Sequence, residues 1–173
     1  MDLRYPIGPY EQPPLTAAAR RNHLQGMAGS VTLLRAAVKD LKPAQLDTAY
    51  RPGGWTLRQV VHHLADSHMN AYIRVRMALT EDAPKIKVYD EARWAELEDA
   101  RLGGIEVSFK LLDATHIRWG SLMRTLTPDD WKRYYVHPEN GKVTVEAALA
   151  YYAWHLRHHT AHITALRERL AWA

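Results

Sequence analysis

The 173-residue chain contains no cysteine. That excludes a disulfide framework, a thiolate metal site and a cysteine nucleophile. No apolar run approaches the roughly 18 residues that a membrane span requires. No block of like charge is present either, because 23 Lys and Arg are interspersed with 19 Asp and Glu, for a net charge of +4 and a pI near 9.4. Such a mixed, weakly basic surface attracts small anions but lacks the footprint of a nucleic-acid binder. Neither nucleic acid nor a membrane is therefore expected as a partner. The opening MDLRYPIGPYEQPP lacks the apolar core of a secretory signal. With the cysteine-free composition, this points to the cytoplasm.

What is present is helical periodicity. At this length a single domain over residues 1–173 is expected, large enough to bury a core without covalent staples. Residues 1–14 carry Pro6, Pro9, Pro13, Pro14 and Gly8 and read as an extended arm. From about Leu15 to Leu41, apolar residues at Leu24, Met27, Val31, Leu34 and Val38 recur in steps of three and four. The turn Tyr50–Trp55 then leads to Thr56, an N-cap with Gln59 completing a capping box. The second helix runs from there to about Leu79 on the stripe Leu57, Val60, Val61, Leu64, Ala71, Val75 and Leu79. A linker over 80–104 has room for a short helix at Glu91–Ala100, and a third long helix covers about Glu106–Leu126, with Leu112, Trp119, Leu122 and Met123 inward. Thr127–Asp130 starts another short helix. Asn140-Gly141 predicts a hairpin between Tyr135-Val136 and Val143–Val145. The last helix runs from near Thr144 to about Leu170. These elements predict an all-α four-helix bundle with one small hairpin. The linker of about 25 residues calls for a long crossover, since antiparallel neighbours are usually joined by about 2–8.

The most informative feature is histidine. Of ten, His62, His63 and His68 form one cluster and His155, His158, His159 and His162 another. On the last helix the four fall within an arc of about 100°, shared with Ala148, Tyr151 and Leu166, so they interrupt the stripe facing the core. Buried imidazoles must be hydrogen-bonded or coordinated. Both His155/His159 and His158/His162 have the i, i+4 spacing that lets two imidazoles hold one ion, and spacing alone does not choose between them. Leu156 and His159 occupy the positions where HExxH requires Glu, which disfavours a metalloprotease. A third ligand must come from another helix. On the wheel His62 points outward, His63 lies at the edge of the stripe and His68 near its centre. His63 and His68 are about 140° apart and should not share an ion. Periodicity alone favours His68, whose plainer reading is a core histidine with a backbone partner.

The run Tyr50–Arg74, YRPGGWTLRQVVHHLADSHMNAYIR, resembles the DinB/YfiT family of small bacterial metalloproteins. Tyr5-Pro6-Ile7-Gly8 and the closing WHLRHHTAHI at Trp154–Ile163 share the likeness. It spans almost the whole chain, and the combination of GGWT…HHLADSH with a late HxxxH makes it specific to the YfiT branch. The resemblance implies a four-helix bundle, often a homodimer, binding one divalent ion such as Zn²⁺ or Ni²⁺. It further implies His63, directly before Leu-Ala, as the first ligand, with His158 and His162 of the final HxxxH as the others. His68 is thereby displaced.

Three neutral histidines are the ligand set of a catalytic rather than a structural zinc. Such an ion lowers the pKa of bound water to about 7 and would also bind and deprotonate a small thiol. The resemblance implies a metal-dependent hydrolase or a bacillithiol-type thiol S-transferase acting on a small molecule. The alternative is a non-catalytic metal-binding or structural dimeric bundle. Bacillithiol is anionic, which makes Arg157 and Arg74 candidates for substrate contact. Candidates for orienting the ligands are Asp66, Asn70, Tyr151, Tyr152, His155 and His159. No Asp or Glu stands out as a general base.

Overall fold

The computed structural model describes residues 2–172. Four long helices form the bundle: α1 (Ala17–Val38), α3 (Leu57–Thr80), α6 (Ile105–Arg124) and α7 (Val145–Arg169). Between them lie the short α2 (Pro43–Leu46), α4 (Glu91–Ala95) and α5 (Glu98–Leu102), one 3-10 turn at Asp130–Lys132, and the antiparallel strands β1 (Tyr134–His137) and β2 (Gly141–Thr144). None of the helices is long and apolar enough to cross a membrane.

Most residues of the expected stripes are buried, whereas Leu24, Leu79 and Leu122 are half-buried. Met27, Val31, Leu34 and Val38 on α1, and Leu57, Val60, Val61, Leu64, Ala71 and Val75 on α3, are all buried. So are Leu112, Trp119 and Met123 on α6. The first helix stops at Val38 rather than Leu41, and Asp40 follows with a left-handed φ of 63°. The third ends at Arg124, and its expected short successor is a single turn held by Thr127 Oγ1 donating to the Asp130 carboxylate at 2.7 Å. In the hairpin, Gly141 has φ +66°, which an L side chain adopts only with strain. Val145 belongs to α7, because the Thr144 hydroxyl accepts from Ala147 N–H and starts the helix there.

Side-chain contacts fix the helix directions. Arg35 near the end of α1 pairs with Glu106 at the start of α6 at 2.8 Å, so these two run antiparallel. Arg20 near the start of α1 pairs with Glu146 at the start of α7 at 3.0 Å, and Arg167 donates to the Ala37 carbonyl near both helix ends, so α1 and α7 are parallel. His62 bonds Ser108 and His68 bonds His116, which makes α3 and α6 parallel. His63 meets His159 while His68 meets Tyr152, so α3 and α7 are antiparallel. Parallel neighbours cannot be joined by a tight turn. The crossover over residues 81–104 returns the chain along α3, a helix roughly 36 Å long. The crossover joins the hairpin through Val136 N–H to Pro84 O at 2.8 Å and Ile86 N–H to Val136 O at 3.1 Å.

At the head of α3 the capping box forms as read: Thr56 Oγ1 accepts from Gln59 N–H and Gln59 Oε1 accepts from Thr56 N–H. Gln59 also donates to the Ala95 carbonyl at 2.7 Å, tying the crossover to the helix that carries His63. Thr56→Ala is expected to lower stability by about 1 kcal/mol, with Thr56→Ser close to wild type. Urea unfolding followed by circular dichroism measures both.

Candidate metal centre

Two apolar clusters make up the core. One is built on Val75, Trp119, Met123 and Leu149, the other on Leu57, Leu64, Phe109, Leu156 and Leu166. Along α3, α6 and α7 a polar layer separates them: Ser67 and His68, Thr115 and His116, and His155. Within and beside this layer, His63, His155 and His159 each present a ring nitrogen, all three within 4.8 Å of one another, and all three residues are buried. His63 Nε2 lies 3.4 Å from His155 Nε2. A tetrahedral site with metal–nitrogen bonds near 2.0–2.1 Å has ligand–ligand edges of about 3.4 Å. The donor set and that edge fit a divalent ion, and the other two edges are no longer than 4.8 Å.

This cluster shares one residue, His63, with the ligand set implied by resemblance. His63 keeps its place, but the i, i+4 pair facing it is His155/His159 rather than His158/His162. The antiparallel packing of α3 on α7 turns His155 and His159 towards α3. It leaves His158 and His162 towards the N-terminal arm and the Tyr50–Trp55 turn. His158 stacks on Trp154, with ring centroids 4.4 Å apart, and lies beside Tyr5. His162 stacks on Tyr50 at 4.1 Å.

His162 nevertheless touches the centre through His159. Its Nε2 lies 3.1 Å from the Arg4 carbonyl, and its Nδ1 lies 3.3 Å from His159 Nδ1. A carbonyl only accepts, so His162 Nε2 carries the proton and its Nδ1 is the acceptor. His159 Nδ1 then donates, which leaves His159 Nε2 with a free lone pair. The outer histidine thus sets the tautomer of the inner one.

Other candidates separate from the centre. His68 is fully buried and bonds His116 Nε2 through its Nδ1 at 2.8 Å, so its partner is a second histidine and not the backbone. Asp66 faces away from His63, towards Asp99 in a different cavity, and burial followed by the Asp99 charge pushes its carboxyl up to about 6. Asn70 donates to the Asp66 carbonyl one turn back. Arg157 is exposed in a groove beside Ser30 and Leu33 and donates to the Ala153 carbonyl. These three lie apart from the histidine cluster. Tyr152 does pack on His155, and Tyr151 stacks on it.

Two openings of about 520 Å³ each meet at the histidines. One is lined by Ser67, Arg74, Tyr89, Tyr135 and Tyr152, the other by Arg4, Tyr50, Trp55, His158 and His162. His63, His155, Tyr151 and Glu91 line both. Trp55 forms a wall against His63, with centroids 4.6 Å apart. In the sequence Trp55 marks only a turn and the family-like GGWT run, and Glu91 only the start of a short helix, because the crossover brings it in from outside the four helices.

The model of the DinB superfamily matches residues 30–163. The chain belongs to the DinB superfamily. It is 51% identical to a protein of Bacillus mycoides (strain KBAB4) and 50% identical to one of Bacillus cereus (strain ZK / E33L), over 99% of each chain in both cases. Both of those proteins carry the name "Putative metal-dependent hydrolase". YfiT from Bacillus subtilis, described as a "probable metal-dependent hydrolase with an unusual four-helix bundle topology", superposes with a TM-score of 0.97 over 100% of both chains at 45% identity. The four-helix bundle protein TT2238 shares the fold, with a TM-score of 0.58 over 86% of this chain.

In this DinB chain the histidines are tuned towards neutrality. Burial holds His63 and His116 down to about 4 and pushes His155 and His159 well below the ordinary value, with repulsion from neighbouring imidazoles adding to it. Above pH 6.5 folded and unfolded chains are alike neutral at these sites. Between 6.5 and 4 the unfolded chain takes up protons that the folded one refuses, so stability falls as pH falls, by roughly 1.4 kcal/mol per pH unit for each such imidazole. Denaturant titrations in chelator at pH 7, 6 and 5 are expected to show this decline. A flat profile would contradict the buried neutral state.

Proposed function

We propose that this protein is a metal-dependent hydrolase acting on a small molecule, with one divalent ion per chain held by His63, His155 and His159. The observation that supports it best is the convergence of three buried, neutral imidazoles at the junction of two openings. Zinc and nickel both suit imidazole ligands. When bound, an ion on three neutral ligands keeps its full charge and open coordination positions, and supplies Lewis-acid activation of water or of a small thiol. The chain's own residues do the rest. His162, anchored on the Arg4 carbonyl, keeps His159 in the tautomer that offers Nε2. Trp55 and Tyr151 flank the ligand rings and restrict water. Glu91, in the first turn of α4, is the carboxylate common to both openings and is the group placed to exchange a proton with the substrate.

Transfer of a small thiol to an electrophile is the second reading. It draws on the same centre, and in a chain without cysteine the sulfur would have to enter with the substrate.

Metal analysis of untagged protein tests the ligand set. His63→Ala, His155→Ala and His159→Ala are each expected to bring about one ion per chain close to zero. His158→Ala should retain the ion, and His162→Ala should bind it about 10–100-fold more weakly. Loss of metal in His158→Ala with retention in His155→Ala would sink this assignment.

Turnover is tested with 4-nitrophenyl esters, and separately with a small thiol plus an alkyl halide. Metal-dependent ester cleavage without thiol supports the hydrolase, whereas metal-dependent thiol consumption alone supports the transferase. Glu91→Gln is expected to lower kcat by about 10²–10⁴-fold with metal content unchanged. Full activity in that variant would remove Glu91 from the mechanism.

A further inference from the structure

One opening beside the histidines contains a charge that the ligand set does not use. Arg74 is only 8% exposed, yet it belongs to none of the ion pairs among the described residues. Its neighbours are neutral: the Lys87 carbonyl at 3.3 Å and the Tyr152 hydroxyl. A guanidinium has five donors in a planar fork, and these two contacts leave most of them unused. A buried cation without a counter-charge is costly, which makes a site of this kind selective for an anion.

The opening supplies a place for one. Arg74 lines the same cavity of about 520 Å³ as His63 and His155, a volume suited to a small-molecule ligand. On α3, His63, Ser67 and Arg74 stand at i, i+4 and i+11, within about 40° of one another on the wheel. They form a single stripe facing the opening. Arg74 begins roughly 16 Å along the axis from His63, and helical side chains lean towards the N-terminus, so its fork comes back towards the histidines. Lys142 and His137 lie along the same wall, and Glu91 and Glu139 also line it without approaching Arg74 to ion-pair distance.

We propose that Arg74 binds the oxyanion of an extended substrate, a carboxylate or phosphate several bonds from the group that reacts at the histidines. The use made of the anion rests on the hydrolase reading, but the anion site itself does not require turnover.

Calorimetry on the full-length protein, metal-loaded and after chelation, compares glutarate with its neutral isostere glutaramide. Glutarate is expected to bind at least about tenfold more tightly, and Arg74→Gln to abolish that preference in the chelated protein and to reduce it in the metal-loaded one, where the ion also attracts a carboxylate. Equal binding of the two probes by the wild type, or an undiminished preference in Arg74→Gln, overturns the proposal.

Arg74→Lys keeps the charge without the fork and serves where the glutamine variant does not fold. It should lose several-fold in glutarate affinity, and unchanged affinity also overturns the proposal. In turnover, Arg74→Gln should raise KM for mono-4-nitrophenyl glutarate about tenfold more than for 4-nitrophenyl butyrate. Absence of all ester cleavage with the glutarate preference intact would refute the hydrolase reading and leave the anion site standing.

Discussion

An imidazole inside a helical bundle is tolerable only while it is uncharged and its lone pair is directed at something. Much of this structure follows from applying that constraint to several histidines at once. His68 Nδ1 and His116 Nε2 satisfy it in part by bonding one another. His162 satisfies it through the Arg4 carbonyl and His159. His63, His155 and His159 direct ring nitrogens at a common point. The second arrangement is closed within the protein, the first leaves the buried His68 Nε2 without a partner, and the third leaves lone pairs that water or a cation must meet. The polar layer between the two apolar clusters is therefore graded: ring bonded to ring and sealed from the openings on the α6 side, and open on the side of the crossover and the arm.

The topology explains which side is open. With α3 and α6 parallel, a chain segment has to travel back along the bundle, and it does so across the face of α3. That segment delivers Glu91 and Tyr89 to the opening beside His63. The N-terminal arm covers α7 in a similar way, with Tyr10 against Tyr151 and Trp154 and Arg4 against His162. The four helices supply the candidate ligands and Arg74, while the connections supply the walls and the carboxylate.

The same division decides what could be read from sequence. Stripes such as Leu57, Val60, Val61 and Leu64, the Thr56/Gln59 box and the Asn140-Gly141 turn are local patterns with local causes, and they stand where expected. The choice between His155/His159 and His158/His162 has no local cause. The two pairs point in mean directions only about 60° apart, and both lie in the same core-facing arc. What separates them is the angle at which α7 meets α3, a property of the packed bundle. His63 was legible only through resemblance, because an edge position on a wheel becomes a central one where a neighbouring helix offers ring nitrogens. Arg157 lies apart from the histidines for the converse reason. It follows Leu156, which is buried in the core, but a step of about 100° takes its charge out to the groove beside α1.

The electrostatics of the opening reinforce its chemistry. Three neutral ligands would leave a divalent ion's charge undiminished, and Arg74 adds a fixed positive charge further along the same wall. Only Glu91 and Glu139 oppose them, and neither forms an ion pair with Arg74. In a low-dielectric cleft such fields act over longer distances than on a wetted surface. A neutral substrate would gain little from Arg74, whereas an anionic one would be held at two points, its oxyanion on the guanidinium and its reacting group at the histidines. Two-point binding fixes orientation as well as affinity. It also gives a physical reason for keeping an arginine buried where an apolar side chain would pack more cheaply.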